Sequence, residues 1–280
     1  MRISVVIPSF NRCDTLPRAL RSVYAQSSAV DEVILVDDGS SDDSAAMVKR
    51  EFPRVQVIRQ SNRGVSAARN RGIRAAQYEW IALLDSDDCW MPHKIETLRA
   101  AAATHPDYIL YHSDEIWIRR GVRVNPMRKH RKTGGWIFNQ CLPLCAISPS
   151  AAVIQKDALL DLGLFDESMP ACEDYDLWLR LCHRYPVHYI DEALITKYGG
   201  HDDQLSRQFP AMDRFRVRAL HRLLDTQALE ADDFDAARDM LLCKLEILLT
   251  GARKHANHQL IDEFEPLHQR WRASTEAAAC

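Results

Sequence analysis

Three acidic clusters stand out in the chain: Asp37-Asp38, Asp85-Ser86-Asp87-Asp88 and Glu173-Asp174-Tyr175-Asp176. Each follows an expected strand or opens an expected helix. One such cluster alone reads as a solvated turn or a cap. Three of them gathered at one edge would repel one another unless a cation, a donor-rich ligand or protonation compensates, and a divalent metal is the economical solution. In Asp85-Ser86-Asp87 an extended backbone sends the first and third side chains to the same side, so one carboxylate can meet a ribose or a neighbouring protein group and the other a metal. Hard carboxylate ligands beside a phosphate-bearing substrate favour Mg²⁺ or Mn²⁺.

Such clusters need a scaffold that brings distant carboxylates together. The first third alternates short β-branched runs with amphipathic segments, the pattern of βα units on a mainly parallel sheet. Residues 3–7, 32–36, 55–58 and 80–84 read as buried strands. Residues 15–26 place Leu16, Ala19, Leu20 and Val23 on one helical face, with Asp14 or Thr15 as N-cap and Pro17 tolerated in the first turn. Residues 44–51 and 65–76 read likewise as helices. The strands end in polar clusters, and open α/β sheets bind ligands at the carboxyl ends of their strands. A helix over 92–104 and a strand over 108–118 follow. From Ile116 to Lys156 there is no Asp or Glu, while Arg119, Arg120, Arg123, Arg128, Lys129, Arg131 and Lys132 accumulate in a basic insertion. Residues 148–154 read as a strand, 157–162 as a short helix closed by Gly163, and 174–184 as a helix with Leu177, Trp178 and Leu181 inward. Beyond Leu205 the chain is helix-forming with no strand signal.

Five motifs occur in order: Val5-Val6-Ile7-Pro8-Ser9-Phe10-Asn11, Val36-Asp37-Asp38-Gly39-Ser40, Asn62-Arg63-Gly64-Val65-Ser66-Ala67-Ala68-Arg69-Asn70-Arg71-Gly72, Leu83-Leu84-Asp85-Ser86-Asp87-Asp88 and Glu173-Asp174-Tyr175-Asp176-Leu177-Trp178. Together, over roughly residues 1–205, they resemble family 2 glycosyltransferases of the GT-A fold. The resemblance implies an α/β, Rossmann-like, mainly parallel mixed sheet with flanking helices over residues 1–204, with a nucleotide-binding half near 1–115 and an acceptor-side half near 116–204. Residues 205–280 would form a C-terminal α-helical appendage. It further implies that Pro8, Phe10 and Asn11 border the nucleotide base, that Asp38 hydrogen-bonds the base or ribose, and that Arg69 lies near the sugar nucleotide. Asp85 and Asp87 match the DXD motif with Ser86 between them in the donor site, and Asp87 is the expected metal ligand. Asp174 matches the catalytic base of inverting members, with Glu173 beside it on the acceptor side. His201, in His201-Asp202-Asp203-Gln204-Leu205-Ser206-Arg207, resembles a late His segment that in some relatives reaches the metal or diphosphate.

The implied activity is metal-dependent transfer, with inversion, of a sugar from a nucleotide diphosphate sugar to a hydroxyl of a glycan, a lipid-linked molecule or another acceptor, with UDP favoured by family frequency and polysaccharide assembly as the usual setting. One base suffices, because a diphosphate leaves without protonation. Alternatively Asp174 caps the helix that follows it. A catalytically silent glycan- or nucleotide-binding module would share the fold. Nucleotidyl transfer is the more distant alternative, because Pro8-Ser9-Phe10-Asn11-Arg12 lacks a Gly-rich, Lys-bearing phosphate loop. Ser148-Pro149-Ser150 and Gly134-Gly135-Trp136 are expected to border the acceptor site. Trp136, Trp117 and Trp178 are candidates for stacking on a sugar, with Trp178 the best suited to the core. The basic segment either steers an anionic acceptor or is a solvated loop.

Composition narrows the setting without naming a partner. The 280 residues carry 36 Lys+Arg against 39 Asp+Glu, for a net charge of −3, which gives no reason to expect DNA binding. The apolar N-terminal run is stopped by Pro8, too short for a signal segment, and no stretch approaches a membrane span, so a cytoplasmic location is expected, with room for peripheral attachment at the inner membrane face. The 8 cysteines lack any CxxC pair and read as reduced thiols. The leucine rows of the tail suit packing on the α/β part or a homodimer.

Overall fold

The computed structural model describes residues 1–125, 127, 130–200 and 209–278, with side chains to residue 273. Strand β1 (Ile3–Ser9) is buried at all seven positions and lies between two parallel neighbours in the N-terminal part of the sheet. It pairs in parallel with β2 (Glu32–Asp37) on one side and β4 (Trp80–Leu83) on the other, and β2 pairs in parallel with β3 (Gln56–Arg59). Helices α1 (Leu16–Tyr24), α2 (Ser44–Glu51) and α3 (Val65–Ala75) make the crossovers. Because side chains alternate across a strand, Ile3, Val5 and Ile7 meet the buried residues of α1 and α2 on one face, while Val6 faces α3 on the other. Gly72 of α3 allows this contact to be close: a Cβ there would lie 2.5 Å from Val6 Cγ1.

Beyond β4 the sheet becomes mixed. After β5 (Cys89–Trp90) and α4 (Lys94–Thr104) come β6 (Leu110–Arg119) and β7 (Val122–Val124), a hairpin extending past the sheet. A short helix α5 (Phe138–Cys141) leads to a 3₁₀ turn at Pro149–Ala151, β8 (Val153–Gln155), α6 (Lys156–Asp161), α7 (Glu173–Cys182) and β9 (His188–Gly199). The strand order is β3-β2-β1-β4-β8-β6-β9-β5, with β7 on β6. Strand β8 is antiparallel to both β4 and β6, so β6 and its parallel neighbour β9 point the same way as β4. The carboxyl ends of β1, β2, β4, β6 and β9 therefore share one edge.

One expectation is corrected here, and one strand was not foreseen. Residues 148–154 do not form one strand: Pro149 lacks an N–H and fixes its φ, so it opens the 3₁₀ turn, and pairing starts only at Val153. Strand β9 carried no clear signal, because Asp191-Glu192 interrupts its alternation; the pairing with β6 absorbs them through register shifts at Ser113/Asp114 and Asp114/Glu115.

The C-terminal helices α8 (Asp213–Thr226), α9 (Ala231–Lys254) and α10 (His258–Ala278) pack on the α/β part. Leu220, Leu241, Leu245 and Phe264 join Trp178, Leu177 and Phe138 in one continuous apolar core. The ion pairs of Arg222 with Asp166 and Asp176, and the 2.8 Å hydrogen bond from Lys244 Nζ to the Pro143 carbonyl, fasten the same seam. Among the described residues no helix is long and apolar enough to cross a membrane, and the cysteines are free thiols.

Candidate active site

At the end of β1 the chain turns through Asn11, which adopts a left-handed φ of 51°, a conformation Asn tolerates better than most residues. Its Oδ1 accepts the Ser41 N–H at 2.8 Å, while its own N–H donates to Ser40 Oγ at 2.9 Å, joining the β1 and β2 loops. Pro8 is buried in β1 and the Phe10 ring stays 43 % exposed, an aromatic face open at the strand edge. Asp37 is fully buried, with Oδ1 accepting the Ser40 N–H and Oδ2 3.1 Å from Arg59 Nε. Asp38, also buried, accepts from Gln60 Nε2 (2.8 Å), Arg63 N–H (2.9 Å) and Gly64 N–H (2.8 Å). It thus organises the 60–64 loop, and most of its acceptor capacity is spent within the protein. Gly39 makes that approach possible: it has φ +81°, and a Cβ there would lie 2.8 Å from the Asn62 nitrogen.

The Asp85-Ser86-Asp87 segment leaves β4 under several restraints. The Asp85 N–H donates to Ser150 Oγ (3.0 Å), and the Ser150 hydroxyl donates to Asp88 Oδ2 (2.7 Å). The Tyr198 N–H donates to Asp88 Oδ1 (3.1 Å), and Arg18 Nη2 donates to the Asp87 carbonyl (2.7 Å). Asp85 Oδ1 accepts from Arg69 Nη2 at 2.7 Å, and Arg69 Nη1 donates to Glu173 Oε1 at 2.6 Å. Burial opposes ionisation of Asp85, but Arg69 and Lys197 hold its carboxyl below the ordinary range. For Asp88, burial together with the Asp85 and Asp87 charges pushes the carboxyl up to about 8 against the pull of Lys197. Burial and Asp174 likewise raise Glu173, opposed by Arg69. Ser86 is buried and Asp87 half-buried.

Helix α7 begins after Cys172, which takes a left-handed φ of 60° and aims the first turn at this edge. Three acids, Glu173, Asp174 and Asp176, lie in that turn, where the helix N-terminus favours negative charge. Asp174 is not the cap. Its Oδ1 accepts the Tyr175 N–H at 2.7 Å and its Oδ2 accepts the Cys145 thiol at 3.1 Å. Burial, ahead of the Asp174 charge, raises the Cys145 thiol well above its usual range, so it stays a protonated donor. Asp176 points the other way, into the Arg180 and Arg222 pairs of the helical seam.

The structure therefore brings Asp85, Ser86, Asp87, Arg69, Glu173 and Asp174 to one edge, with Pro8, Phe10, Asn11 and Asp38 on the adjoining strand ends. Trp136 is not brought there. Gly135 pairs with Val187, just before β9, so this segment lies at the amino end of the strands, and Phe138 packs on His183 at the far end of α7. His183 lies nine residues beyond Asp174, about 13 Å along the helix at 1.5 Å per residue. Trp178 is a fully buried core residue. His201 and Arg207 lie outside the described residues. Sequence reasoning missed Lys197, Glu115 and Cys145. Lys197 Nζ donates to Ser148 Oγ (3.2 Å), and Glu115 pairs with Lys132 at 3.3 Å. Alternation along Ile195, Lys197 and Gly199 was the available signal, weakened by the acidic interruption before it.

This parallel-to-mixed sheet, with acids at its strand ends and helices behind, is a GT-A fold with a helical appendage. The chain belongs to glycosyl transferase family 2, whose family model matches residues 4–160. It is 30 % identical over 196 residues to an uncharacterized glycosyltransferase of Rickettsia conorii, covering 69 % of this chain and 32 % of that protein. To an uncharacterized glycosyltransferase of Haemophilus influenzae it is 28 % identical over 208 residues, covering 69 % and 66 %. To the succinoglycan biosynthesis protein ExoO of Rhizobium meliloti it is 43 % identical over 105 residues, covering 36 % and 30 %. The chain thus spans less than two thirds of the length of each of these relatives. Among solved structures, S. aureus TarS 1-349 in complex with UDP-GlcNAc superposes with a TM-score of 0.74 at 19 % identity, covering 90 % of this chain and 75 % of that one.

Proposed function

We propose that this chain transfers a sugar, with inversion, from a nucleoside diphosphate sugar to an acceptor hydroxyl in polysaccharide assembly. The observation that carries the reading is the Arg69 bridge: it joins Asp85, at the end of β4, to Glu173, the neighbour of Asp174, so donor-side and acceptor-side acids face a common space. A UDP donor is favoured, in keeping with the UDP-GlcNAc held by TarS, whose fold this chain shares.

In this mechanism Phe10 offers its exposed ring to the base, and Asn11 and Asp38 shape the wall beside it. Asp174 takes the proton of the acceptor hydroxyl as that oxygen bonds to the anomeric carbon. The bond from that carbon to the diphosphate oxygen breaks, and its electron pair leaves with the diphosphate. Attack from the face opposite the leaving group inverts the anomeric centre. Cys145 keeps one Asp174 oxygen oriented through its S–H donation. Among the described residues no three His, Cys, Asp or Glu side chains converge on a metal position. Asp85 accepts from Arg69 through Oδ1, so among the described residues Asp87, with Asp85 beside it, is the carboxylate set that would hold an ion. That set suits Mg²⁺ or Mn²⁺, which bind through one or two carboxylates, substrate phosphates and waters. When bound, the ion supplies positive charge to the departing diphosphate.

The test is a thermal-shift panel of UDP, GDP, CDP and dTDP, each with and without Mn²⁺. A ligand at 100 times its dissociation constant adds about 2.7 kcal/mol of stability. Stabilisation by one nucleotide only with the metal, lost in Asp87→Ala, is expected. Absence of any shift, or retention of the donor without release of free nucleotide whatever acceptor is offered, overturns transfer.

A further inference from the structure

We propose that Trp117, Arg119 and Lys197 form an acceptor subsite for an anionic glycan, a chain carrying phosphate or carboxylate groups. The proposal rests on the transfer reading and names its acceptor class.

In the parallel pairing of β6 and β9, Trp117 lies opposite Lys197 and Arg119 opposite Gly199. Residues two apart on a strand share a face, so Glu115, Trp117, Arg119 and Lys197 project on one side of the sheet. That side is the one packed against the 145–148 segment: Lys197 reaches Ser148 Oγ, Lys132 Nζ donates to the Ala146 carbonyl at 3.3 Å, and Cys145 holds Asp174. The row therefore runs outward from the proposed base, with Arg119 about 7 Å beyond Trp117 at 3.3 Å per residue.

Each member is built for a ligand. The Trp117 indole N–H donates to Glu115 Oε1 at 2.7 Å, Glu115 is anchored by Lys132, and His130 lies against the ring at 5.0 Å; the half-buried indole is held in one orientation. Such a rigid ring between two cations suits the apolar face of a sugar unit whose substituents are charged. Lys197, opposite Trp117, is buried among the Glu115, Asp88 and Asp85 charges that hold its ammonium protonated, and it donates to Ser148 Oγ at the inner end of the row. Arg119, with Arg120 and Arg123 on the hairpin beyond it, is exposed and forms no ion pair with any described carboxylate. In a chain of net charge −3, the exposed Arg119, Arg120 and Arg123, without a carboxylate partner among the described residues and leading past Trp117 to the site, suit a polyanion. The cations line up with the site around a single aromatic platform, which fits a linear glycan better than a bilayer or a run of stacked nucleotide bases.

Calorimetric titration of the full chain tests this with a hyaluronan decasaccharide (carboxylate), a glycerol-phosphate oligomer (phosphodiester) and neutral dextran of matched length. One or both charged probes bind, more weakly as salt rises, and dextran does not; the tighter of the two identifies the anion. Arg119→Glu, on an exposed side chain, weakens binding at least tenfold, and Trp117→Ala at least fivefold, while the UDP-induced thermal shift stays as in the parent. Equal binding of dextran, unchanged binding by Arg119→Glu, or binding of an oligonucleotide or anionic vesicles tighter than either charged glycan overturns the proposal. Because nucleotide binding is read separately, absence of a shift with all four nucleotides refutes the transfer reading and leaves the glycan result standing by itself.

Discussion

Arg69 of α3 and Glu173 of α7, 104 residues apart in sequence, meet in a 2.6 Å contact with side chains only 4 % and 7 % exposed. The second arm of the same guanidinium holds Asp85. One buried cation thus fixes the spacing between the Asp85-Ser86-Asp87 segment and the helix that presents Asp174.

Removing that cation leaves two carboxylates facing each other in a desolvated space. Arg69→Met is expected to cost about 3–5 kcal/mol of stability, the range for breaking a buried ion pair. Denaturant titration measures it, and a loss under about 1 kcal/mol would show that the bridge does not hold the two halves.

Asp174→Asn keeps the shape and the Tyr175 N–H contact but cannot take a proton. The rate constant for transfer should fall by about 10²–10⁴, the usual worth of a general base, with the nucleotide thermal shift preserved. Transfer at the parental rate would remove Asp174 from the mechanism.

Burial holds two bases neutral. Lys94, fully buried with its Nζ on the Ala151 carbonyl at 3.0 Å, is lowered from 10.5 to about 7, and His112 from 6.5 to about 3, in both cases chiefly by desolvation. The unfolded chain binds each proton first, so unfolding takes up protons and stability increases with pH. The His112 contribution is complete above 6.5 and is lost as pH falls towards 3. The Lys94 contribution is complete above 10.5 and is lost as pH falls towards 7. Between pH 7 and pH 9 Lys94 adds up to about 2.7 kcal/mol, at roughly 1.4 kcal/mol per unit. Asp88, pushed up to about 8, works in the opposite direction over the same window in both proteins, so denaturation midpoints should rise more from pH 7 to pH 9 in the parent than in Lys94→Met. Identical slopes would reject the assignment.

Gly39→Ala places a Cβ against the Asn62 nitrogen at a left-handed φ. A cost of about 1–3 kcal/mol is expected, together with weaker nucleotide binding, because Asp38 then loses its grip on the 60–64 loop. Unaltered binding by calorimetric titration would show that this loop does not shape the donor site.

Leu245 of α9 is fully buried in the core shared with α7. Leu245→Ala should cost about 2–5 kcal/mol, and heating should unfold parent and variant in one calorimetric transition. Two separate transitions would mean that the helical appendage melts independently.

Much of the α/β half was legible because its signals are local. Strands β1 to β4 and helices α1 to α4 declare themselves through β-branched runs, the spacing of Leu16, Ala19, Leu20 and Val23, and polar residues at strand ends. The order of the motifs announced the acids, since their positions at strand ends follow from the chain path itself. Strand β9 was not legible: its pairing with β6 runs through a bulge that no local pattern encodes, and Lys197 was overlooked with it.

The amino-acid sequence by itself determined the layering, the family and the identities of the acids, because hydrophobic period and motif order are properties of neighbouring residues. Only the tertiary structure decided that Arg69 spans Asp85 and Glu173, that Asp38 is occupied with its own loop, that Asp174 leans on Cys145 rather than capping α7, and that Trp136 sits at the wrong end of the sheet while Trp117 lies on the side facing the site. Those outcomes depend on which distant segments share a desolvated space, and the energies of buried charge and hydrogen bonding that select them arise only once the chain has closed around them.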